Sequence, residues 1–271
     1  PREFVVCNLC GGSDTRLWAT KNGFSIVQCR SCSLIYTNPR LDADQRVEYY
    51  KGEYHSGYDD DPVRGRMYER DIQEMVQIVG ESGRFLDVGC AYGRFLTYLP
   101  ATFEKHGIEF SQEAASYGRQ RFGVDIQAGD LHSVRLEDES YDVVHFRGVF
   151  EHIPDPQREL EAAHRILKPG GWLVLSTVPN IGSPCGIVFR ERFRLVYPRA
   201  HIYYFSRSTL SQYCRKNGLE VLHVRYPYLG TPYERLWRDA VQFIAGSFGK
   251  GPSPPFFRSV ITVYARKPLG L

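Results

Sequence analysis

The chain of 271 residues is long enough for one large α/β domain, or for such a domain with a small appendage. Its hydrophobic content of 42% allows a full core, and its net charge of +3 is well below that of a dedicated nucleic-acid-binding protein. No apolar run is long enough to span a membrane, and the N-terminal residues PREFVVCNLC do not resemble a signal peptide. Composition therefore predicts a cytoplasmic protein.

Four of the seven cysteines form two closely spaced pairs near the start of the chain. Cys7 and Cys10 make the first pair, Cys29 and Cys32 make the second, and eighteen residues separate the pairs. Such a spacing is typical of a structural zinc site, in which four thiolates complete a tetrahedron and leave no open position for catalysis. We predict a zinc-binding module at residues 1–40, with ordinary thiols or disulfides as the alternative.

Residues 41–80 are predicted to form a helical linker or cap, because helical patterns cover 42–50 and 63–79. Between these two helices, residues 51–62 have the composition of a mobile or ligand-ordered loop, and the sequence leaves open whether they form a lid.

Strands and helices alternate through residues 81–271. The predicted strands lie near 84–88, 104–109, 125–128, 141–146, 172–177, 219–225 and 258–265, and the predicted helices near 93–99, 111–121, 156–167 and 208–217. This alternation predicts a Rossmann-like, doubly wound, mostly parallel sheet of seven strands. Two insertions, at 179–206 and 227–257, are expected on the substrate side, the second with an amphipathic helix over 231–246.

The most informative stretch is FLDVGCAYG at residues 85–93, where an apolar strand ends in an acid and a turn of small residues follows. Gly89 and Gly93 permit a backbone that approaches a ligand closely or takes a positive φ. Glu109 ends the next strand, where a carboxylate can accept hydrogen bonds from ribose hydroxyls. A dinucleotide fingerprint would need a small residue in place of Arg94, so the spacing opposes the alternative of an NAD-dependent oxidoreductase.

The pattern Asp87-x-Gly89-x-Ala91-x-Gly93 resembles the first motif of class I S-adenosylmethionine-dependent methyltransferases, with alanine at the usual middle glycine. Further stretches resemble later motifs of that family, and the resemblance covers nearly the whole chain. These stretches are YDVVHFRGVFEHIPDP at 141–156, LKPGGWLVLSTVPN at 167–180 and PRAHIYYFSRSTL at 198–210. Together with the cysteine pairs, they resemble a branch that carries an N-terminal zinc module and often modifies sugars.

The resemblance implies S-adenosylmethionine and a structural Zn²⁺ as cofactors. Glu109 would hold the ribose, Phe110 would flank the adenine, and Asp130 with the amide of Leu131 would bind the adenine edge. Adenine offers one exocyclic donor and one ring acceptor, which a carboxylate followed by a backbone N–H matches. The predicted cofactor-binding residues are Asp87, Gly89, Cys90, Ala91, Gly93, Glu109, Phe110, Asp130, Leu131, Phe146 and Arg147.

Methyl transfer from a sulfonium is an in-line displacement, so alignment of the reacting groups supplies much of the rate. An alcohol acceptor must also lose its proton, and histidine is a natural base. The predicted catalytic residues are His152, the adjacent Glu151, and His201 in the loop after the fifth strand; structural roles in turns are the alternative. The Glu151–His152 pair also resembles ubiquinone-pathway O-methyltransferases, but the metal-binding glutamate of that pattern is Gly148 here.

We expect a methyltransferase that O-methylates a sugar hydroxyl on a nucleotide sugar, glycan or glycosylated natural product. Its expected partner is this small-molecule acceptor and not a nucleic acid, and the sequence is compatible with an oligomer. A sugar C-methyltransferase and an RNA-directed zinc-ribbon protein are the alternatives; the thin basic patch of Arg16, Lys21 and Arg30 opposes the second. The arginines of the first insertion either form a solvated face or bind the phosphate or carboxylate of an acceptor. They are Arg190, Arg192, Arg194 and Arg199.

Overall fold

The computed structural model describes residues 2–53, 62–249 and 251–270. Its strands are β1 (Arg2–Glu3), β2 (Thr15–Lys21), β3 (Phe24–Cys29), β4 (Ile35–Thr37), β5 (Arg40–Leu41), β6 (Gly83–Val88), β7 (Phe103–Glu109), β8 (Asp125–Ala128), β9 (Tyr141–Arg147), β10 (Leu167–Pro179), β11 (Tyr203–Tyr204), β12 (Glu220–Arg225) and β13 (Val260–Arg266). Its α-helices are α1 (Ala43–Glu53), α2 (Pro62–Val79), α3 (Arg94–Tyr98), α4 (Gln112–Phe122), α5 (Pro156–Ile166), α6 (Pro184–Phe189), α7 (Arg207–Lys216) and α8 (Leu236–Phe248). The predicted loop at 51–62 lies mostly outside the described residues.

Seven strands form the central sheet in the order β12-β13-β10-β9-β6-β7-β8. Strand β13 runs antiparallel to both of its neighbours, and the strands from β10 to β8 are parallel to one another. This confirms the predicted Rossmann-like, mostly parallel sheet. The strand order reverses between β6 and β9, and ligands bind to open α/β sheets in the crevice outside the carboxyl ends of the strands at such a point.

Both faces of the central sheet are covered, which explains why its inner strands are continuous apolar runs. Along β10, Leu173 and Leu175 belong to one hydrophobic core, and Val174 belongs to the other. Helices α5 and α7 contribute to the first core, and α2 and α3 contribute to the second. Every helix among the described residues is too short or too polar to pass through a lipid bilayer.

Two elements begin about five residues from their predicted starts. Strand β10 starts at Leu167, because Leu167 pairs with Tyr141 of β9 before the register shifts and pairing resumes at Trp172. Gly170, with φ of +79°, lies in this irregular stretch, where glycine avoids backbone strain. Helix α8 starts at Leu236, because residues 231–235 form turns that precede it.

A second sheet joins the N-terminal module to a distant part of the chain. Its strand order is β11-β4-β3-β2, with antiparallel pairing throughout. Strand β11 comes from the 179–206 segment, and Tyr203 and Tyr204 pair with Tyr36 and Ile35 of β4. The segment that carries His201 is therefore held against the cysteine-containing module.

Candidate active site

The loop between β6 and α3 has a backbone that a ligand can approach closely. Gly89, Ala91 and Gly93 have φ values of +71°, +50° and +73°. A Cβ atom on Gly89 would lie 2.7 Å from the side chain of Val149, so only glycine fits there without a shift. Ala91 adopts the left-handed conformation despite its Cβ, and its amide donates to Glu109 Oε2 at 2.9 Å. The loop is thereby fixed to the end of β7.

Glu109 is buried at the end of β7, and both carboxylate oxygens accept backbone hydrogen bonds. Oε2 accepts from the amide of Ala91, and Oε1 accepts from the amide of Ser111 at 2.8 Å. A carboxylate oxygen has two acceptor positions, so this geometry is compatible with a further hydrogen bond from a ribose hydroxyl. The side chain of Phe110, the next residue, is 65% exposed and presents an apolar surface beside this carboxylate.

Asp130 caps the turn after β8. Its Oδ1 accepts from the amides of His132 at 3.0 Å and Ser133 at 2.7 Å. Burial alone would raise the pKa of Asp130, but the hydrogen bonds from Ser133 and His132 outweigh burial and hold this pKa below its ordinary value. The carboxylate is therefore ionised and oriented, and Oδ2 makes neither of these turn hydrogen bonds. Leu131 beside it is buried in the core.

Asp87 is bound to a histidine that the sequence analysis did not single out. Its Oδ1 lies 3.0 Å from His145 Nδ1, and His145 Nε2 lies 2.7 Å from Ser176 Oγ, with all three residues buried. The three side chains link β6, β9 and β10 at the strand ends that precede the loop. A polar residue inside the apolar run of β9 must find a buried partner, and that is the signal that could have identified His145.

Three other predicted cofactor residues have side chains that the protein itself holds. Cys90 is buried, and its Sγ would lie 2.6 Å from a Cβ added to Gly107. Phe146 is fully buried in the core. The guanidinium of Arg147 donates to Asp71 Oδ2 at 2.7 Å, which connects β9 to α2. Contact of Cys90 or Phe146 with a cofactor would therefore involve the backbone.

The structure brings together all three predicted catalytic residues. Glu151 and His152 lie in a 3₁₀ turn after β9, and the imidazole rings of His152 and His201 are 4.7 Å apart between centroids. The ligand atoms of Glu151, His152 and His201 all lie within 4.8 Å of one another. Glu151 Oε1 is 3.9 Å from His152 Nε2. Val149 directly precedes this turn and packs over Gly89, so the turn that carries Glu151 and His152 starts beside the glycine loop.

Burial sets the protonation of this cluster. It lowers the pKa of His152 to about 3, with the neighbouring His201 adding to the effect, and it lowers the pKa of His201 as well. Burial also raises the pKa of Glu151 to about 8. Both imidazoles are therefore neutral at neutral pH, and Glu151 is the member of the cluster whose pKa lies nearest to the pH range of catalysis.

The four paired cysteines also come together. Cys7 Sγ lies 3.3 Å from Cys32 Sγ, Cys10 Sγ lies 3.5 Å from Cys29 Sγ, and all four sulfurs lie within 4.8 Å of one another. The cysteines form no disulfide. Tetrahedral Zn–S bonds of about 2.3 Å place sulfurs roughly 3.8 Å apart, so the cluster has the ligand type and size for zinc.

The segment of the first cysteine pair contacts the residues that follow the turn of Glu151 and His152. Asn8, which lies between Cys7 and Cys10, donates to Asp155 Oδ1 at 2.7 Å. The side-chain oxygen Oδ1 of Asn8 accepts from the backbone amide of Gln157 at 3.1 Å. Since Asp155 caps helix α5 and follows His152 closely, the cysteine cluster supports the turn of Glu151 and His152 as well as the His201 segment.

Two arginines of the 179–206 segment have structural partners. Arg190 donates to the carbonyl of Trp18 and lies over its ring. Arg192 donates to three carbonyls at or beyond the end of α8, those of Gly246, Gly249 and Gly251. These contacts favour a structural role for both side chains over acceptor binding.

Comparisons with known proteins agree with this geometry. The sequence model of a methyltransferase-domain family matches residues 63–224. A ubiquinone biosynthesis O-methyltransferase of Paraburkholderia phymatum is 31% identical over 169 residues, which cover 58% of this chain and 71% of that protein. An uncharacterized 37.1 kDa protein in transposon TN4556 of Streptomyces fradiae is 38% identical over 104 residues, covering 35% of this chain and only 30% of that relative's length.

Solved structures show the same fold. A SAM-dependent methyltransferase of Thermotoga maritima superimposes with a TM-score of 0.55 at 24% identity, covering 82% of this chain and 97% of that one. The strand order, the glycine loop and the family match agree with one another. The chain belongs to this methyltransferase-domain family and is an S-adenosylmethionine-dependent methyltransferase.

Proposed function

We propose that the enzyme transfers the methyl group of S-adenosylmethionine to a hydroxyl oxygen of a small-molecule acceptor. The observation that carries this proposal is the cluster of Glu151, His152 and His201, on a turn that begins at Val149 beside Gly89. Such a cluster can take up or redirect the proton that a hydroxyl must lose. The similarity to an enzyme named as an O-methyltransferase supports the same chemistry.

In this reaction the acceptor oxygen attacks the methyl carbon in line with the carbon–sulfur bond. The new C–O bond forms as the C–S bond breaks, and the sulfur keeps the electron pair as the neutral thioether of S-adenosylhomocysteine. The hydroxyl proton leaves toward the cluster, where the ionised form of Glu151, which becomes populated as the pH approaches about 8, receives it. Positioning of acceptor and methyl group supplies the larger part of the acceleration.

The cofactor is proposed to lie along the ends of β6, β7 and β8. The ribose hydroxyls donate to Glu109, the adenine amino group donates to Asp130 Oδ2, and Phe110 covers one face of the adenine. The methionine part lies over the loop from Gly89 to Gly93, whose φ values allow the close backbone approach.

A zinc ion on the four cysteines is part of the proposal. With four protein sulfurs as ligands it has no open position, so its contribution is to stability and not to the reaction. The spacing of the sulfurs and the absence of a disulfide among these cysteines support this assignment.

The acceptor class is best tested with a panel that contains nucleotide sugars, glycosides and phenols. The sugar acceptor predicted from the sequence and a phenolic acceptor are both hydroxyl compounds, as the O-methylation in the relative's name requires. We expect mass spectrometry and NMR to find the transferred methyl group on an oxygen of one class, with Glu151→Gln slowing turnover but sparing S-adenosylhomocysteine binding. A methyl group on carbon, or methylation of RNA alone, would contradict the proposal.

A further inference from the structure

The catalytic cluster has the composition of a metal site, in addition to the cysteine cluster. Glu151, His152 and His201 offer one carboxylate oxygen and two imidazole nitrogens within 4.8 Å of one another. We propose that these three residues bind a divalent first-row transition-metal ion.

The hydrogen bonds behind the two histidines are those that metal ligands need. His152 Nδ1 lies 3.1 Å from the carbonyl oxygen of Ala200, and His201 Nδ1 lies 2.8 Å from that of Leu195. A carbonyl oxygen can only accept, so each Nδ1 carries the proton and each Nε2 carries the lone pair. Histidines that bind metals almost always donate their other ring nitrogen in this way, because the bond fixes the tautomer and the ring orientation.

Glu151 supplies an independent observation. Its residue is only 3% exposed, and among the described residues its Oε2 has no hydrogen-bond partner. A buried carboxyl oxygen without a hydrogen-bond partner is costly, and a bound cation removes that cost. The 3.9 Å between Glu151 Oε1 and His152 Nε2 is too long for a hydrogen bond. It is near the separation of roughly 3.4 Å expected for two ligands of one ion with bonds of about 2.1 Å.

The backbone holds the two ligand-bearing segments together. The amide of Ile202 donates to the carbonyl of Glu151 at 3.0 Å, directly beside His201 in the chain. The amide of Thr37 in β4 donates to the carbonyl of Ile202 at 2.9 Å. His201 is distant from Glu151 in sequence, and hydrogen bonds of the neighbouring Ile202 to Glu151 and to Thr37 of the N-terminal sheet hold it beside the other two ligands.

The ligand set selects the class of ion. Two imidazoles with one carboxylate suit zinc, iron, cobalt or manganese, whereas Mg²⁺ prefers oxygen ligands and retains its waters. Three protein ligands leave coordination positions open, which is the pattern of catalytic sites. The His152 side chain is 25% exposed, so the site is open on one side.

The role of the ion rests on the proposed function. An acceptor hydroxyl bound in an open position would release its proton more readily, to water at the open side of the site, because a cation lowers the pKa of a bound oxygen acid. The resulting oxyanion would attack the methyl carbon, and the cluster would act as ligands instead of as a free base. Binding of the ion itself requires neither cofactor nor acceptor, so it can be tested separately.

The test is a Co²⁺ titration of the full chain with zinc on its cysteines, followed by visible spectroscopy and elemental analysis. We expect about one equivalent of Co²⁺ beyond the zinc, with weak absorption bands and without a thiolate-to-cobalt charge-transfer band, as nitrogen and oxygen ligands require. His201→Ala and Glu151→Gln should each weaken Co²⁺ binding by about 10-fold or more. Equimolar Mg²⁺ should not compete.

His223→Ala, on β12, is the matched histidine control and should bind Co²⁺ as the wild type does. His201→Asn keeps a side-chain donor for the Leu195 carbonyl, so it serves if His201→Ala does not fold; S-adenosylhomocysteine binding reports folding in each variant. Wild-type protein that binds S-adenosylhomocysteine but no Co²⁺ would overturn the metal site and leave the methyltransferase proposal standing. Unchanged Co²⁺ affinity in both ligand variants would also overturn it.

Discussion

At Asp130 the two carboxylate oxygens have different tasks. Oδ1 holds the turn through the amides of His132 and Ser133, and Oδ2 is the proposed acceptor for the adenine amino group. Asp130→Asn keeps an oxygen for the turn but replaces the second oxygen by a donor, which would face another donor. We expect S-adenosylhomocysteine binding to weaken about 10-fold or more, measured by calorimetry, with little change in stability.

Asp125→Asn is the matched control for this substitution, because Asp125 lies exposed at the opposite end of the same strand, β8. It should leave the affinity unchanged. If Asp130→Asn binds S-adenosylhomocysteine as tightly as the wild type, Asp130 does not contact the adenine and the proposed cofactor orientation is wrong.

Gly89 tests the close approach of the cofactor loop to Val149. Gly89→Ala introduces both an unfavourable φ and a Cβ that would lie 2.7 Å from the Val149 side chain. We expect a loss of about 1–3 kcal/mol in the free energy of unfolding, together with a marked loss of cofactor affinity. Urea denaturation and calorimetry measure the two effects.

Gly123→Ala separates these two causes, because Gly123 has a φ of +66° but nothing within 4 Å of an added Cβ. It should show only the conformational cost and bind cofactor normally. Equal effects of the two substitutions on cofactor affinity would show that the approach to Val149 does not shape the binding loop.

Among elements, helix α5 meets the Asp130 turn through Glu159. Burial, helped by the negative charge of Asp130, raises the pKa of Glu159 from 4.5 to about 7, and His132 Nε2 lies 3.2 Å from its carboxylate. The folded state binds the Glu159 proton more tightly than the unfolded state does. Protonation of Glu159 therefore contributes its full stabilisation below pH 4.5, and this contribution is lost as the pH rises through about 7. The folded protein should therefore lose stability across this interval.

Glu159→Gln removes the titration while keeping the size of the side chain. We expect the stability of the variant relative to the wild type to rise by up to about 3 kcal/mol between pH 4.5 and pH 8, in urea denaturation at a series of pH values. Parallel stability curves for the two proteins across this range would contradict the raised pKa of Glu159.

Elements defined by local patterns were predictable from the sequence. Capping and turn residues mark the ends of helices such as α4, where Ser111 accepts from the Ala114 amide at the start and Gly123 ends the helix with a positive φ. The start of β10 at Leu167 was not predictable, because Lys168 to Gly171 read as a turn, whereas in the structure Leu167 before them already pairs with Tyr141 of β9. Pairing between distant segments decides such boundaries.

On the scale of the whole molecule, the cysteine-containing module contacts both segments that carry the candidate site residues. Asn8 contacts the start of α5 beyond the catalytic turn, and β4 pairs with β11 next to His201. The spacing of the cysteines predicted their cluster, and the positions of His152 and His201 after the fourth and fifth strands of the sheet predicted their place at the candidate site. The contact between the cysteine cluster and the His201 segment was not predictable. It depends on the pairing of β11 with β4, and these two strands lie far apart in the sequence.

Removal of zinc should therefore disturb the active site before the rest of the fold. After chelation we expect faster hydrogen exchange at two amides, that of Ile202, which donates to the carbonyl of Glu151, and that of Tyr203, which lies in β11. We also expect a lower free energy of unfolding. Exchange in α4 and β8 should change little, and added zinc should restore the original rates. Uniform acceleration over the whole chain, or no change near His201, would contradict this supporting role of the cysteine-containing module.

The most direct measurement of the central claim is a crystal structure of the protein with S-adenosylhomocysteine. We predict ribose hydroxyls on Glu109, the adenine amino group on Asp130, and the sulfur facing the cluster of Glu151, His152 and His201. S-adenosylhomocysteine bound away from the Gly89 loop, or with its sulfur turned from that cluster, would contradict the proposed assignment of the site.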